Sequence, residues 1–208
     1  MKEDLIRNLH LFPNNCAETV LELAGHRKAR FLVRSSRRSK LGDFRPAQKG
    51  REAVITVNGD LNPYHFIIIF LHELAHLEVW ENSGPHVQAH GKEWKEAFSS
   101  LVQLFYIRNT FPLDLDLAIR GLIDRPRASS FADTSLLQAL RRYDGEENKS
   151  TILDELEEDA YFRLKNGKIY KKLEKRRSRI LCAEVGSRKK YLIHKMAEVE
   201  AVDASFKN

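Results

Sequence analysis

The segment Leu71-His-Glu-Leu-Ala-His76 constrains this chain more than any other. It closes an apolar run, Phe66-Ile-Ile-Ile-Phe-Leu71, which itself follows Asn62-Pro63. Asparagine is a favoured helix N-cap, and proline is preorganised for the first helical position. A helix is therefore expected from Asn62-Pro63 to about Asn82, with Ser83-Gly84-Pro85 as its stop. A helix turns once every 3.6 residues, so positions 72 and 76 project from one face, one turn apart. Two imidazoles and a carboxylate in an apolar helix are costly to bury unless something satisfies them.

A zinc ion satisfies them, because it binds imidazole nitrogen at about 2.0–2.1 Å. Bound zinc lowers the pKa of a water to about 7. Glu73, next to the first ligand, is then placed to take that water's proton and pass it to a leaving amine. H-E-x-x-H at this spacing points to a zinc-dependent metallopeptidase with one zinc ion, acting on peptide bonds in protein substrates.

A catalytic zinc needs a third protein ligand and one open position. His90 is the expected third ligand. It precedes Gly91 at the start of a second predicted helix, and the intervening loop is long enough to turn its ring back. His86, in that loop, is the runner-up. Glu93 and Glu96 are weaker candidates, and Glu78 and Glu81 follow the first helix away from the site. His65 is two turns from His72, about 10 Å along the axis, too far to ligate.

The segments around the motif read as a mixed α and β chain. Residues 15–25 have helical apolar spacing and end on Gly25. Residues 30–34, 40–45 and 52–57 read as strands, the last closed by the Asn58-Gly59 turn. Trp94, Phe98, Leu101 and Leu104 form the apolar stripe of the second helix. Residues 109–130 read as loop because of Pro112, Gly121 and Pro126. A helix is expected at 134–143 and a linker at 144–150. Beyond it, residues 161–165 and 168–173 flank Asn166-Gly167 as a hairpin, and 179–183, 190–194 and 197–202 read as strands. The expected organisation is an α+β core over residues 1–145 and a small antiparallel β region over 151–208.

Composition limits the alternatives. Of 208 residues, 42% are hydrophobic, enough for a core. There are only two cysteines, which excludes a disulfide framework and any four-thiolate zinc site. The opening residues have no secretory pattern and the apolar run is too short to span a membrane, so a cytoplasmic protein with no membrane partner is expected. The net charge is +6, and residues 161–208 carry 14 Lys+Arg against 5 Asp+Glu. With the basic N-terminal segment, this suggests a polyanionic partner such as DNA, and Lys171, Lys172, Lys175, Arg176, Arg177 and Arg179 are the densest candidates for phosphate contact.

LHELAH followed by HGKEW resembles the SprT-like zinc metalloproteases, a family that includes Spartan-type members. The matching positions are His72, Glu73, His76, His90, Gly91 and Trp94, and Lys40-Leu-Gly-Asp-Phe-Arg45 resembles the family's glycine-containing strand. The resemblance implies a zincin-like fold, peptide-bond hydrolysis and, for Spartan-type members, protein substrates on DNA. The family's four-cysteine zinc ribbon is not matched, since the tail has only Cys182. In zincins an edge strand pairs with extended substrate, so Leu41, Gly42 and Asp43 are the candidate substrate-binding residues. Two other readings compete: a nucleic-acid-binding or adaptor module with a purely structural zinc, and a zinc hydrolase of another amide or ester. Glu73 separates enzyme from module, because a structural zinc site has no use for it.

Overall fold

The computed structural model describes residues 1–203 except 38–39, 49, 128–133 and 146–149. The protein is α+β, with two sheets. The chain divides into two compact units, Met1–Gly145 and Glu146–Asn208. Most of the 144–150 linker expected from the sequence lies outside the described residues.

The first unit holds helices α1 (Lys2–Arg7) and α2 (Ala17–Ala24), strands β1 (Ala29–Arg34), β2 (Gly42–Arg45) and β3 (Ala53–Asn58), and helices α3 (Pro63–Ser83), α4 (Lys92–Ile107), α5 (Asp116–Asp124) and α6 (Thr134–Arg141). The strands form a mixed sheet in the order β1-β3-β2. β1 runs parallel to β3 and β2 antiparallel to it, which leaves β2 as an edge strand.

Helix α3 is the centre of the core. Every residue from Phe66 to Leu71 is buried, as are Leu74, Ala75 and Leu77. A helix buried on nearly all sides needs apolar residues all round, which explains the unbroken run in the sequence. Phe12, Phe31, Phe66 and Phe70 pack edge-to-face beneath it, with centroids 4.9 to 5.3 Å apart in the closest pairs. Asn62 caps the helix by accepting from the His65 backbone N–H at 2.9 Å. Its Nδ2 donates to the Leu140 carbonyl at 3.0 Å and to Asp144 at 2.7 Å, so one side chain both starts α3 and ties it to the end of α6.

The loop expected over residues 109–130 is corrected in part. A short 3-10 turn, Leu113–Leu115, leads directly into α5. Proline tolerates a helix entry, and a Cβ at Gly121 would meet nothing within 4 Å, so this glycine weakens the helix without marking a turn. The buried positions Leu115, Ile119 and Leu122 supply the helical spacing.

The second unit has strands β4 (Tyr161–Arg163), β5 (Ile169–Lys175), β6 (Arg179–Glu184), β7 (Lys190–His194) and β8 (Glu200–Val202). All pairings are antiparallel, in the order β7-β6-β5-β4-β8. Gly167, with φ +81°, makes the β4–β5 turn expected of Asn-Gly. Leu153, Phe162, Tyr170, Ile180, Cys182 and Val199 form its own small core. Among the described residues, no helix is long and apolar enough to cross a membrane.

Candidate metal centre

The helical repeat of α3 places His72 and His76 side by side, and the turn before α4 brings His90 over them. His72 Nε2 lies 3.1 Å and His76 Nε2 3.0 Å from His90 Nε2. One nitrogen with at most one proton cannot satisfy two such neighbours by hydrogen bonding alone. Ligand nitrogens on a tetrahedral zinc stand about 3.3 Å apart, given bonds of about 2.0–2.1 Å. The three histidines are therefore spaced as a metal needs them, and they are the one such donor cluster among the described residues.

His90 reaches this position through unusual backbone. Its φ is +58°, in the left-handed region, within a turn closed by the Gly91 N–H donating to the Gln88 carbonyl at 2.9 Å. Few non-glycine residues adopt that conformation, histidine with Asn and Asp more often than most, and here it turns the ring towards His72 and His76. His86 sits in an exposed 3-10 turn, Gly84–His86, outside the cluster. Glu78 and Glu81 pair with Arg27 instead, the former at 3.0 Å.

Burial holds the imidazoles neutral, which is the form that binds metal. Desolvation, then the neighbouring histidines, pushes His72 down to about 3. Desolvation and His90 push His76 down to about 4, and desolvation lowers His90. Trp94 walls the cluster. Its ring lies 4.6 Å from that of His72 and 4.7 Å from that of His90, and its Nε1 donates to the His72 carbonyl at 3.3 Å. Phe44 stacks on His76 from β2, 6.3 Å away and nearly parallel.

Glu73 is buried, at 7% exposure. Desolvation and the Asp43 charge raise its pKa to about 8, against Arg37, Lys40 and a hydrogen bond from the Phe44 backbone. A nearby metal cation would draw it down towards neutrality, where a general base works best.

The candidate substrate residues divide. The Leu41 carbonyl accepts from the Asn58 N–H at 2.8 Å, so by antiparallel alternation Leu41, Asp43 and Arg45 turn their backbone groups towards β3. Gly42 and Phe44 turn theirs away from β3, where the Phe44 backbone meets Glu73. Of Leu41, Gly42 and Asp43, only Gly42 keeps an edge-facing backbone; its partner is Phe44. Asp43 is engaged with Lys40 at 2.7 Å and Arg45 at 2.9 Å. Gly42 abuts Glu73 itself: a Cβ there would lie 2.8 Å from Glu73 Cγ and 2.7 Å from Ile69 Cγ2.

The candidate nucleic-acid residues also divide. Lys172 is corrected: it is 5% exposed, and its Nζ donates to the Asp154 carbonyl at 3.3 Å and to that of Leu156. A lysine spent on buried carbonyls is not offered to phosphate. Strand alternation buries Lys172 while Lys171 faces the other way, so adjacent charges in the sequence do not form one patch. Lys171 pairs with Asp159 and Lys175 with Asp154, both at 2.7 Å, and Arg176 with Glu174 at 3.5 Å. Arg177 and Arg179 are exposed beside them.

Sequence reading missed Phe44 and Asn58, which shape the site through backbone contacts, and Arg37, whose contacts are long-range. The Asn58-Gly59 turn signal marked the position of Asn58 but not its role. No family model matches this chain, and neither does any curated protein or solved structure compared with it.

Proposed function

We propose that this chain is a zinc-dependent metallopeptidase with a zincin-like core, of the SprT-like kind, hydrolysing peptide bonds in proteins. One observation carries the reading: three imidazole nitrogens converge next to a buried glutamate that abuts Gly42 of the edge strand β2. A structural metal site would be closed and would leave Glu73 without purpose.

His72, His76 and His90 would hold the ion. When bound, zinc supplies a Lewis acid that lowers the pKa of water to about 7 and polarises a carbonyl. Glu73 accepts the proton of the attacking water and returns it to the leaving amine. The Phe44 backbone N–H favours the ionised carboxylate. Gly42 leaves the space that the carboxylate occupies. The free edge of β2 receives extended substrate backbone.

DNA-associated proteins are the substrate class that the basic composition favours, with Arg176, Arg177 and Arg179 as the exposed cations nearest to such a role. The test is cleavage of a disordered protein such as β-casein by the zinc-loaded chain, with and without single-stranded DNA. Wild type is expected to cleave and Glu73→Gln to be inert with zinc retained. Absence of cleavage by wild type under every condition favours the structural-zinc module instead.

A further inference from the structure

The three-stranded sheet of the first unit has two unlike faces. Phe31 of β1 and Ala53, Ile55 and Val57 of β3 are buried in the core that contains α3. Gly42 and Phe44 of β2 stand opposite Val57 and Ile55 and share that inner face. Side chains alternate along a strand, so the residues between them occupy the outer face. There the register sets Arg30 and Arg45 on either side of Val54, and Arg34 beside Asn58. Arg30 and Arg34 are exposed, and neither has an ion pair among the described residues. The Arg45 side chain is 67% exposed. Asp43 is the only acid in the three strands, and it is shared between Arg45, at 2.9 Å, and Lys40, at 2.7 Å. Asn58 adds a further cation, because its Oδ1 accepts from Arg37 Nε at 2.8 Å and so fixes that guanidinium at the Arg34 end of the face. Arginines 30, 34, 37 and 45 and Lys40 thus gather around a single carboxylate. Like charges held together repel and cost the fold stability, so their gathering asks for an outside anion.

We propose that this outer face binds the phosphate backbone of duplex nucleic acid, with Arg30, Arg34 and Arg45 as the contacting residues. The guanidinium fork matches phosphate oxygens in both geometry and charge. The rest of the face decides among polyanions. A protein partner is held mainly by aromatic and aliphatic anchors in buried pockets. A single strand is held by aromatic rings that stack on its bases. The outer face has no aromatic residue, and Leu32 and Val54 are its only apolar ones. What it offers is charge at sheet spacing. Arg30 and Arg45, two strands apart, have backbones about 10 Å from each other, and Arg34 lies about 13 Å along β1 from Arg30. Cations so placed reach phosphates without reading bases, so binding is independent of sequence. Phe44 stacks on His76 and Gly42 abuts Glu73 from the inner face, so nucleic acid on the outer face leaves the metal centre clear. The inference adds to the peptidase reading a surface that holds the chain near proteins on DNA, and no step of hydrolysis passes through it.

The test is fluorescence anisotropy of a labelled DNA duplex with the full chain across a salt series. Wild type is expected to bind, with affinity that falls steeply as salt rises and does not change with duplex sequence. The double variant Arg30→Gln/Arg34→Gln should lose about tenfold in affinity and flatten the salt slope by about two ions, and Arg45→Gln by about one. Arg120→Gln removes an equal charge from α5 and should leave affinity and slope unchanged. A second arm maps phenylglyoxal modification of wild-type arginines by mass spectrometry. Duplex DNA should shield Arg30 and Arg34 and leave Arg120 as reactive as before. This arm needs no variant, so it decides even where the double variant does not fold. Absence of binding by wild type, a wild-type slope in the double variant, an equal loss in Arg120→Gln, or modification of Arg30 and Arg34 unaffected by DNA overturns the proposal. Tighter binding of poly-glutamate than of the duplex, lost in the same variants, also overturns it and assigns the face to an acidic protein. Every readout is binding, without zinc or turnover, so failure here leaves the peptidase reading standing, and failure of cleavage leaves this proposal standing.

Discussion

Gly42 and Glu73 occupy one space: a Cβ on Gly42 would sit 2.8 Å from Glu73 Cγ and would also strike the carboxylate. The glycine of β2 thus fits the helix to the edge strand and leaves room for the Glu73 side chain. Gly42→Ala should displace Glu73, lowering turnover at least tenfold while zinc content stays at the wild-type level, and should cost about 1–3 kcal/mol by overpacking. Gly121→Ala is the control. Its Cβ would meet open space inside α5, so denaturant melts should show a gain of about 0.5–1 kcal/mol.

His90 sets ligand chemistry against backbone preference. At φ +58°, asparagine or glycine is more comfortable than histidine. His90→Asn should therefore hold or raise the stability of the metal-free protein, by up to about 1 kcal/mol, while zinc affinity falls steeply. His86→Ala should leave both unchanged, because His86 stands outside the cluster. Thermal melts and metal content by mass spectrometry read the two effects separately.

The site also makes metal-free stability depend on pH, with opposite signs for its groups. Glu73 rises from 4.5 to about 8 on folding, so its contribution is full below 4.5 and is lost as pH climbs through 8. His72 falls from 6.5 to about 3, so its contribution is full above 6.5 and is lost as pH drops through 3. Metal-free Glu73→Gln should gain stability over wild type between pH 5 and pH 8, by on the order of 2–4 kcal/mol. Zinc should shrink that gain, since the ion favours the ionised carboxylate. Urea melts at a series of pH values check both statements.

In the second unit, Lys172 and Arg177 should behave differently. Lys172→Ala leaves the Asp154 and Leu156 carbonyls short of a donor and should destabilise the fold by about 1–3 kcal/mol. Arg177→Ala should leave the melt unchanged. If the tail contacts phosphate, DNA affinity of the Arg177→Ala and Arg179→Ala variants should fall and each salt slope should flatten by about one ion.

The elements that the sequence made legible are those with local causes. Asn62-Pro63 starts α3 through a cap made within one turn, and His72 and His76 share a face because the helical repeat demands it. His90 was readable from a turn preceding a helix. What stayed hidden is long-range: the cradle that Asn58 makes for Arg37, the Phe44 backbone on Glu73, and the occupant of the space at Gly42. Helix α5 was hidden for another reason, because Gly121 and Pro112 carry turn signals that packing of Leu115, Ile119 and Leu122 overrides. Lys172 misled because composition counts charges, whereas strand alternation decides which of them face water.

The most direct test is hydrolysis of β-casein in ¹⁸O-labelled water by the zinc-loaded chain, with products read by mass spectrometry. The account predicts new C-termini carrying label for wild type, and none for Glu73→Gln at equal zinc content. Labelled products from Glu73→Gln at the wild-type rate, or none from wild type, would contradict it.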